Sequence, residues 1–274
     1  MMIRSCVTIS LVPEARGGPF VFWDDLPGAC QKAKQLGFHA VEVFAPSAGA
    51  LNRSELRRLL NAQDLKLAAL GTGGGWVRHR LHLSSPDPAI RHRAKDFIRS
   101  IIDLAGDFSA SAIIGSMQGR WGDGVERNQA REWLAESLRA LGDHAAQYGV
   151  PLLFEPLNRY ETNLVNTVAD GVRLLESVGS SNVKLLCDLF HMNIEETNLA
   201  AALRTGGKYV GHIHFADSNR RPAGCGHINF RSIAAALRDI AYEGYVSAEA
   251  LPYPDSDEAA RLTIHAYRRS FVNT

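Results

Sequence analysis

The sequence predicts an α/β protein folded as a (β/α)8 TIM barrel, and three observations carry that expectation. Eight short apolar, β-rich runs recur along the chain, amphipathic helical patterns lie between them, and no linker-like segment interrupts the alternation. Runs that are hydrophobic almost continuously, rather than at alternate positions, are covered on both faces, as a parallel sheet with crossover helices requires. Eight such runs in 274 residues suit closure into one barrel.

The candidate strands are residues 3–9, 38–44, 65–70, 111–116, 150–155, 183–188, 209–214 and 244–249. Between them, apolar residues return every three or four positions, most clearly over 87–105, 126–148, 168–178 and 230–241. Gly37, Gly149 and Gly179 each follow a helical stretch and precede a strand, where a left-handed residue can end a helix. With no Ser/Gly/Pro-rich linker, one domain over residues 1–274 is expected. The least regular segments, 10–23, 71–87 and 118–125, each follow a strand. They are therefore expected on the C-terminal face, where this architecture builds its pockets.

Composition narrows the function. Lys and Arg number 30 against 29 for Asp and Glu, a net charge of +1, so no global field favours nucleic acid or an anionic membrane. A small, locally recognised molecule is the expected partner. Cys6, Cys30, Cys187 and Cys225 are scattered without a C-x-x-C pair. That argues against a zinc knuckle, a redox dithiol or a disulfide scaffold and fits a reducing cytosol. The first ten residues lack the pattern of a signal peptide and no apolar run approaches membrane-spanning length, so a soluble, cytoplasmic protein is expected.

Four consecutive strands end in a potential metal ligand: Phe154-Glu155, Cys187-Asp188, Ile213-His214 and Ala248-Glu249. They are spaced by about one βα repeat, which places all four at the same rim of the barrel. Any one of these acids could cap a helix, pair with an arginine or be solvated. Carboxylates gathered away from water repel one another unless paired or bound to a cation, so four groups in register point to a divalent ion. Three carboxylates and one imidazole suit Mn²⁺, Mg²⁺ or Co²⁺ better than a sulfur-rich zinc site; Mn²⁺ is the expected ion and Zn²⁺ a further option. Open coordination positions could take two vicinal oxygens of a hydroxy-ketone, polarise its carbonyl and stabilise an enediolate. The adjacent C–H then becomes removable, with Glu155 and Glu249 as the proton-transfer pair on opposite faces.

Three segments carry a family resemblance: Phe154-Glu155-Pro-Leu-Asn158-Arg-Tyr-Glu161, Cys187-Asp188-Leu-Phe-His191-Met192, and His212-Ile-His214-Phe-Ala-Asp217-Ser-Asn-Arg220 followed by Gly-Cys-Gly-His227. They resemble the xylose-isomerase-like barrel superfamily, and within it the ketose 3-epimerases of the D-tagatose 3-epimerase type. The resemblance covers residues 150–249 in order and spacing, while the first half matches only in βα rhythm. It implies one metal held by Glu155, Asp188, His214 and Glu249, with the two glutamates also moving the proton. It further implies that Glu161, His191 and Arg220 hold the O1–O2 end of a ketose, and that the chain can form a homo-oligomer, dimer or tetramer. Three other reactions share the scaffold. One is a metal-dependent lyase dehydrating an inosose or keto-polyol, and another an aldose–ketose isomerase. The third, an endonuclease IV-like hydrolase, needs extra histidines that the strand exits Gly71-Thr72 and Gly115-Ser116 lack. A non-enzymatic sugar-binding barrel is the remaining option.

Some features have plainer readings. His212, two residues before His214, should share its strand face one layer deeper as a hydrogen-bonded core histidine. The run Gly71-Thr-Gly-Gly-Gly75 could cradle a phosphate, but it lacks a G-K-[ST] ending and need only be a flexible loop. Trp76 and Trp121 could shape the apolar side of a sugar pocket. After Glu249 the chain reads Ala-Leu-Pro-Tyr-Pro, where the resembled epimerases place a pocket-closing aromatic, and this leaves the sugar unassigned.

Overall fold

A computed structural model describes residues 2–122 and 124–272. Its strands are β1 (Arg4–Ser10), β2 (Phe22–Trp23), β3 (Ala40–Phe44), β4 (Lys66–Gly71), β5 (Ser111–Ile114), β6 (Leu152–Phe154), β7 (Val183–Asp188), β8 (Val210–His214) and β9 (Tyr245–Ala248). Strands β1 and β3 to β9 pair in chain order, all parallel, and β9 pairs back onto β1, with Arg4 opposite Tyr245 and Val7 opposite Ala248. This is the eight-stranded closed barrel that the sequence predicts. The extra strand β2 adds two pairs to β1 from within the stretch read as irregular. Two residues are too few to leave a periodic signal.

Among the described residues ten α-helices accompany the strands: α1 (Leu26–Leu36), α2 (Arg53–Ala62), α3 (Gly74–His79), α4 (Pro88–Gly106), α5 (Arg127–Ala146), α6 (Val168–Val178), α7 (Leu189–Glu195), α8 (Leu199–Gly206), α9 (Phe230–Asp239) and α10 (Ser256–Tyr267). Their ends are written in the sequence. Thr167 opens α6 by accepting from the Asp170 N–H, and Gly179 closes it in the left-handed region at φ 71°. Asp25 and Gly37 frame α1 in the same way. Gly149 also has positive φ, but it lies two residues beyond Gln147, the last cap of α5. None of the helices is long and apolar enough to cross a membrane among the described residues.

Within the segment read as irregular, the run 71–75 corrects an expectation, because it leaves the end of β4 and enters helix α3 rather than forming a flexible loop. Its glycines are there for contact. A Cβ on Gly73 would stand 2.6 Å from the Phe44 ring, so the backbone packs directly against that aromatic face.

Side chains on one strand alternate between the helices and the barrel axis. Phe154, among the largest fully buried side chains, joins the main core, while its neighbour Leu153 joins a small separate cluster with Ala69, Ile113 and Leu186. That cluster fills the interior on the β4–β7 side. The β1, β3, β8 and β9 side is polar instead, with Thr8, Glu42, His212 and Ser247 all buried.

Two register shifts break the alternation, one beside Glu42 in the β3–β4 pair and one between Leu185 and Leu186 in the β7–β8 pair. In the second, Leu185 faces Val210 and Leu186 faces His212, leaving Gly211 without a partner on β7. The extra residue lets Val210 pack in the outer core while His212 and His214 both turn to the axis. A Cβ on Gly211 would meet the Lys184 Cβ at 2.5 Å. Gly211→Ala is therefore expected to cost about 1–3 kcal/mol in urea unfolding, the range for forced overpacking.

Candidate functional site

The four strand ends converge. His214 Nδ1 lies 3.3 Å from Asp188 Oδ2, 3.4 Å from Glu249 Oε2 and 3.5 Å from Glu155 Oε1. Glu155, Asp188, His214 and Glu249 each offer a ligand atom, all within 4.8 Å of one another, so the group could hold a metal ion. Asp188 also fulfils the plainer role considered for it. Its Oδ1 accepts from the N–H groups of Phe190 and His191 at the start of α7, while Oδ2 faces the other three groups.

The three carboxylates differ in their surroundings. Burial raises the proton affinity of Glu155 above the ordinary carboxylate range, and its Oε1 has no hydrogen-bond partner. Burial also opposes ionisation of Asp188 and Glu249, but nearby cations outweigh it. His191, His214 and Arg220 lower Asp188, and His214 with Arg220 lowers Glu249. His214 shows the converse. Burial favours its neutral form, yet Glu249, Glu42, Asp188 and Glu155 together hold its pKa well above the usual imidazole value.

The three residues expected to hold substrate stand beside this group. Arg220 reaches Glu249 Oε2 at 2.6 Å, Asp188 Oδ2 at 3.7 Å and Glu161 Oε1 at 3.4 Å. Its loop is built around Asp217, whose buried carboxylate accepts from the N–H groups of Ser218, Gly224 and Ile228. His191 Nε2 lies 3.8 Å from Glu155 Oε1, and its Nδ1 lies 3.8 Å from Glu161 Oε1. Glu161 is the exposed member at the rim.

A family profile described as a xylose isomerase-like TIM barrel matches residues 30–269. The chain belongs to that family. D-psicose 3-epimerase of Agrobacterium fabrum (strain C58) is 33% identical over 239 residues, covering 86% of this chain and 79% of the relative. The 3-dehydro-D-guloside 4-epimerase of Escherichia coli K12 is 40% identical over 119 residues, 43% of this chain and 45% of the relative. A crystal structure of D-psicose 3-epimerase with D-tagatose from Clostridium cellulolyticum H10 superposes with a TM-score of 0.81 at 26% identity, covering 98% of each chain.

Within this xylose isomerase-like barrel, a cavity of about 310 Å³ opens above the site, bounded by Phe20, Phe44, Trp76, Gly115 and Leu157 together with Glu155, Glu161, His191, His214, Arg220 and Glu249. Gly115 is required there, because a Cβ would come within 2.5 Å of Glu155 Oε2. Phe20 stacks on Phe44 at 4.7 Å, so the segment after β1 supplies an aromatic wall. Tyr253, which follows Glu249, is 47% exposed and does not line the cavity. A second cavity of about 480 Å³ shares Trp76, Ser116 and Glu161 with the first and continues past His82, Arg120 and Trp121. Trp121 is held there by three hydrogen bonds with Asn163.

Sequence reasoning missed two residues at the site. Asn158 lies inside the quoted motif but had no assigned role. The Tyr160 N–H donates to Asn158 Oδ1, which turns Asn158 Nδ2 towards His191 Nδ1 at 2.7 Å. His191 therefore accepts at Nδ1 and carries its proton at Nε2, the nitrogen nearer Glu155. The other is Glu42, buried beneath His214, with Oε1 at 3.1 Å from His214 Nε2 and Oε2 at 2.9 Å from His212 Nε2. His212 is thus the hydrogen-bonded core histidine expected of it. Long-range ¹⁵N–¹H NMR is expected to show His191 as the Nε2–H tautomer, and Asn158→Leu to abolish that preference.

Proposed function

We propose that this isomerase-class enzyme is a divalent-metal-dependent ketose 3-epimerase. The observation that carries the reading is the meeting of three buried carboxylates around His214 Nδ1, with Glu155 and Glu249 in opposite electrostatic settings. The curated relatives named as D-psicose 3-epimerases support it. The donor set fits one ion held by Glu155, Asp188, His214 and Glu249, since the unpartnered buried Glu155 oxygen would gain a cation to bind and the like charges a counter-charge. Bound there, a divalent ion supplies Lewis-acid polarisation of the substrate carbonyl.

The chain's own groups do the rest. Arg220 and Glu161 offer a donor and an acceptor for sugar oxygens, and His191 points its Nε2–H into the cavity. Of Glu155 and Glu249, one is ionised at the start of a turnover and takes the C3 proton. The other, protonated at that point, returns a proton to the opposite face. The two exchange roles in the reverse direction. The aromatic walls Phe20, Phe44 and Trp76 limit water around the reacting carbon.

The adjoining cavity favours a second reading, epimerisation of a keto sugar that carries a second ring, and the guloside 4-epimerase relative is compatible with it. The same two glutamates would act there.

The deciding experiment incubates Mn²⁺-loaded protein with a panel of ketoses in deuterated water. Label at C3 with retained mass otherwise is expected. Label at C1 or C2 would mean aldose–ketose isomerisation, and loss of water would mean a lyase. Glu155→Gln and Glu249→Gln are each expected to slow exchange by about 10²–10⁴-fold, the span for removing a positioned acid–base group. Parent-rate exchange in both variants would refute the two-base assignment.

Metal affinity should depend on pH in a defined direction. In the metal-free protein the raised pKa of His214 keeps a proton that an ion must displace. Mn²⁺ affinity is therefore expected to rise with pH until it passes the His214 pKa, with proton release visible in calorimetry across buffers of different ionisation enthalpy. The stability contributed by that raised pKa has the opposite trend. It is complete below about 6.5, the unfolded imidazole value, and is lost as pH rises through the folded one. Melting temperature in EDTA should fall over the range where Mn²⁺ binding tightens.

A further inference from the structure

Glu42 has no part in the reaction as drawn, yet it is buried on β3 in contact with the central imidazole. Its two oxygens are divided between two rings, Oε1 to His214 Nε2 and Oε2 to His212 Nε2. An ionised carboxylate only accepts, so both rings donate from Nε2. The lone pair of a neutral His214 is then on Nδ1, the nitrogen that faces Asp188, Glu155 and Glu249.

We propose that Glu42 is a positioning residue for the metal ion. It fixes His214 as the Nε2–H tautomer and holds the ring so that Nδ1 meets the ion, while His212 steadies Glu42 through its second oxygen. The inference rests on the reading of Glu155, Asp188, His214 and Glu249 as ligands of one divalent ion. A carboxylate behind a ligating imidazole also makes the ring a better donor, and losing such a partner typically weakens metal binding 10–100-fold. Glutamine cannot replace it. An amide has one acceptor and one donor end, so one of the two rings would face an N–H and would have to give up its own Nε2 proton.

Glu42, His212 and His214 could also gather around an ion of their own. The hydrogen bonds weigh against that, since each carboxylate oxygen already has a separate ring N–H at 2.9 or 3.1 Å, ordinary lengths for such bonds.

The test is Mn²⁺ titration calorimetry and metal stoichiometry on the full chain, with Glu42→Gln and Glu42→Asp beside the parent. One ion per chain is expected in the parent, a dissociation constant 10–100-fold weaker in Glu42→Gln, and an intermediate value in Glu42→Asp, which keeps the charge on a shorter arm. Melting temperatures in EDTA separate this from a packing role, because a packing defect lowers them without changing the increment that Mn²⁺ adds. Should Glu42→Gln not fold, Glu42→Asp alone decides. Parent-like affinity in the variants that fold would overturn the proposal and leave the metal reading intact. Two ions per chain would assign Glu42 as a ligand and overturn it as well. No binding by the parent would overturn both.

Discussion

Three acid groups brought out of water to within a few ångströms of one imidazole nitrogen form the constraint on which this molecule is organised. Such an assembly is untenable by itself, because each carboxylate loses hydration and gains a repelling neighbour. Several neighbours supply positive charge or hydrogen-bond donors. Arg220 reaches two of the acids from a loop built around Asp217, the first turn of α7 donates to Asp188, and His214 stands at the centre. Chemistry follows from how unevenly that relief is distributed.

The unevenness begins one layer down. Beneath Glu155 and Asp188 the interior is hydrocarbon, with Ile113, Leu153 and Leu186 in contact. Beneath His214 and Glu249 it is polar, with His212, Glu42 and Ser247. Glu155, buried with no arginine beside it, keeps its proton more tightly, whereas Asp188 and Glu249, both beside Arg220 and His214, release theirs. Two glutamates on one rim thereby acquire different proton affinities without any change in residue type.

The strand ends were readable in the sequence because two patterns coincide there: the doubly covered apolar run and the repeat length of one βα unit. The four strand-end residues placed on that basis do meet at the rim, and Glu161, His191 and Arg220, expected only from the family resemblance, stand beside them. Glu42 escaped because a single acid within Ala-Val-Glu-Val-Phe reads as solvated, and its partner His212 lies 170 positions away. A carboxylate between two valines, in a strand judged covered on both faces, was the available signal. Helix α3 escaped for a different reason. Its two glycines, with Gly73 at the N-cap, argue against a helix by propensity, and only close contacts explain them: Gly73 against Phe44, Gly74 against the Ala45 carbonyl and Gly75 against Met117. Strand β2, at two residues, spans a single strand period and repeats nothing.

Gly211 shows how narrowly the imidazoles are placed. It has no partner across β7 and no side chain, yet it shifts the parity of β8 so that Val210 and the two histidines can face opposite ways. Loss of that one codon would rotate either the valine or both rings to the wrong side. Changes in length can accumulate in the segments joining strands, but inside β8 they would dismantle the centre, so its spacing is fixed by geometry before any selection on the substrate.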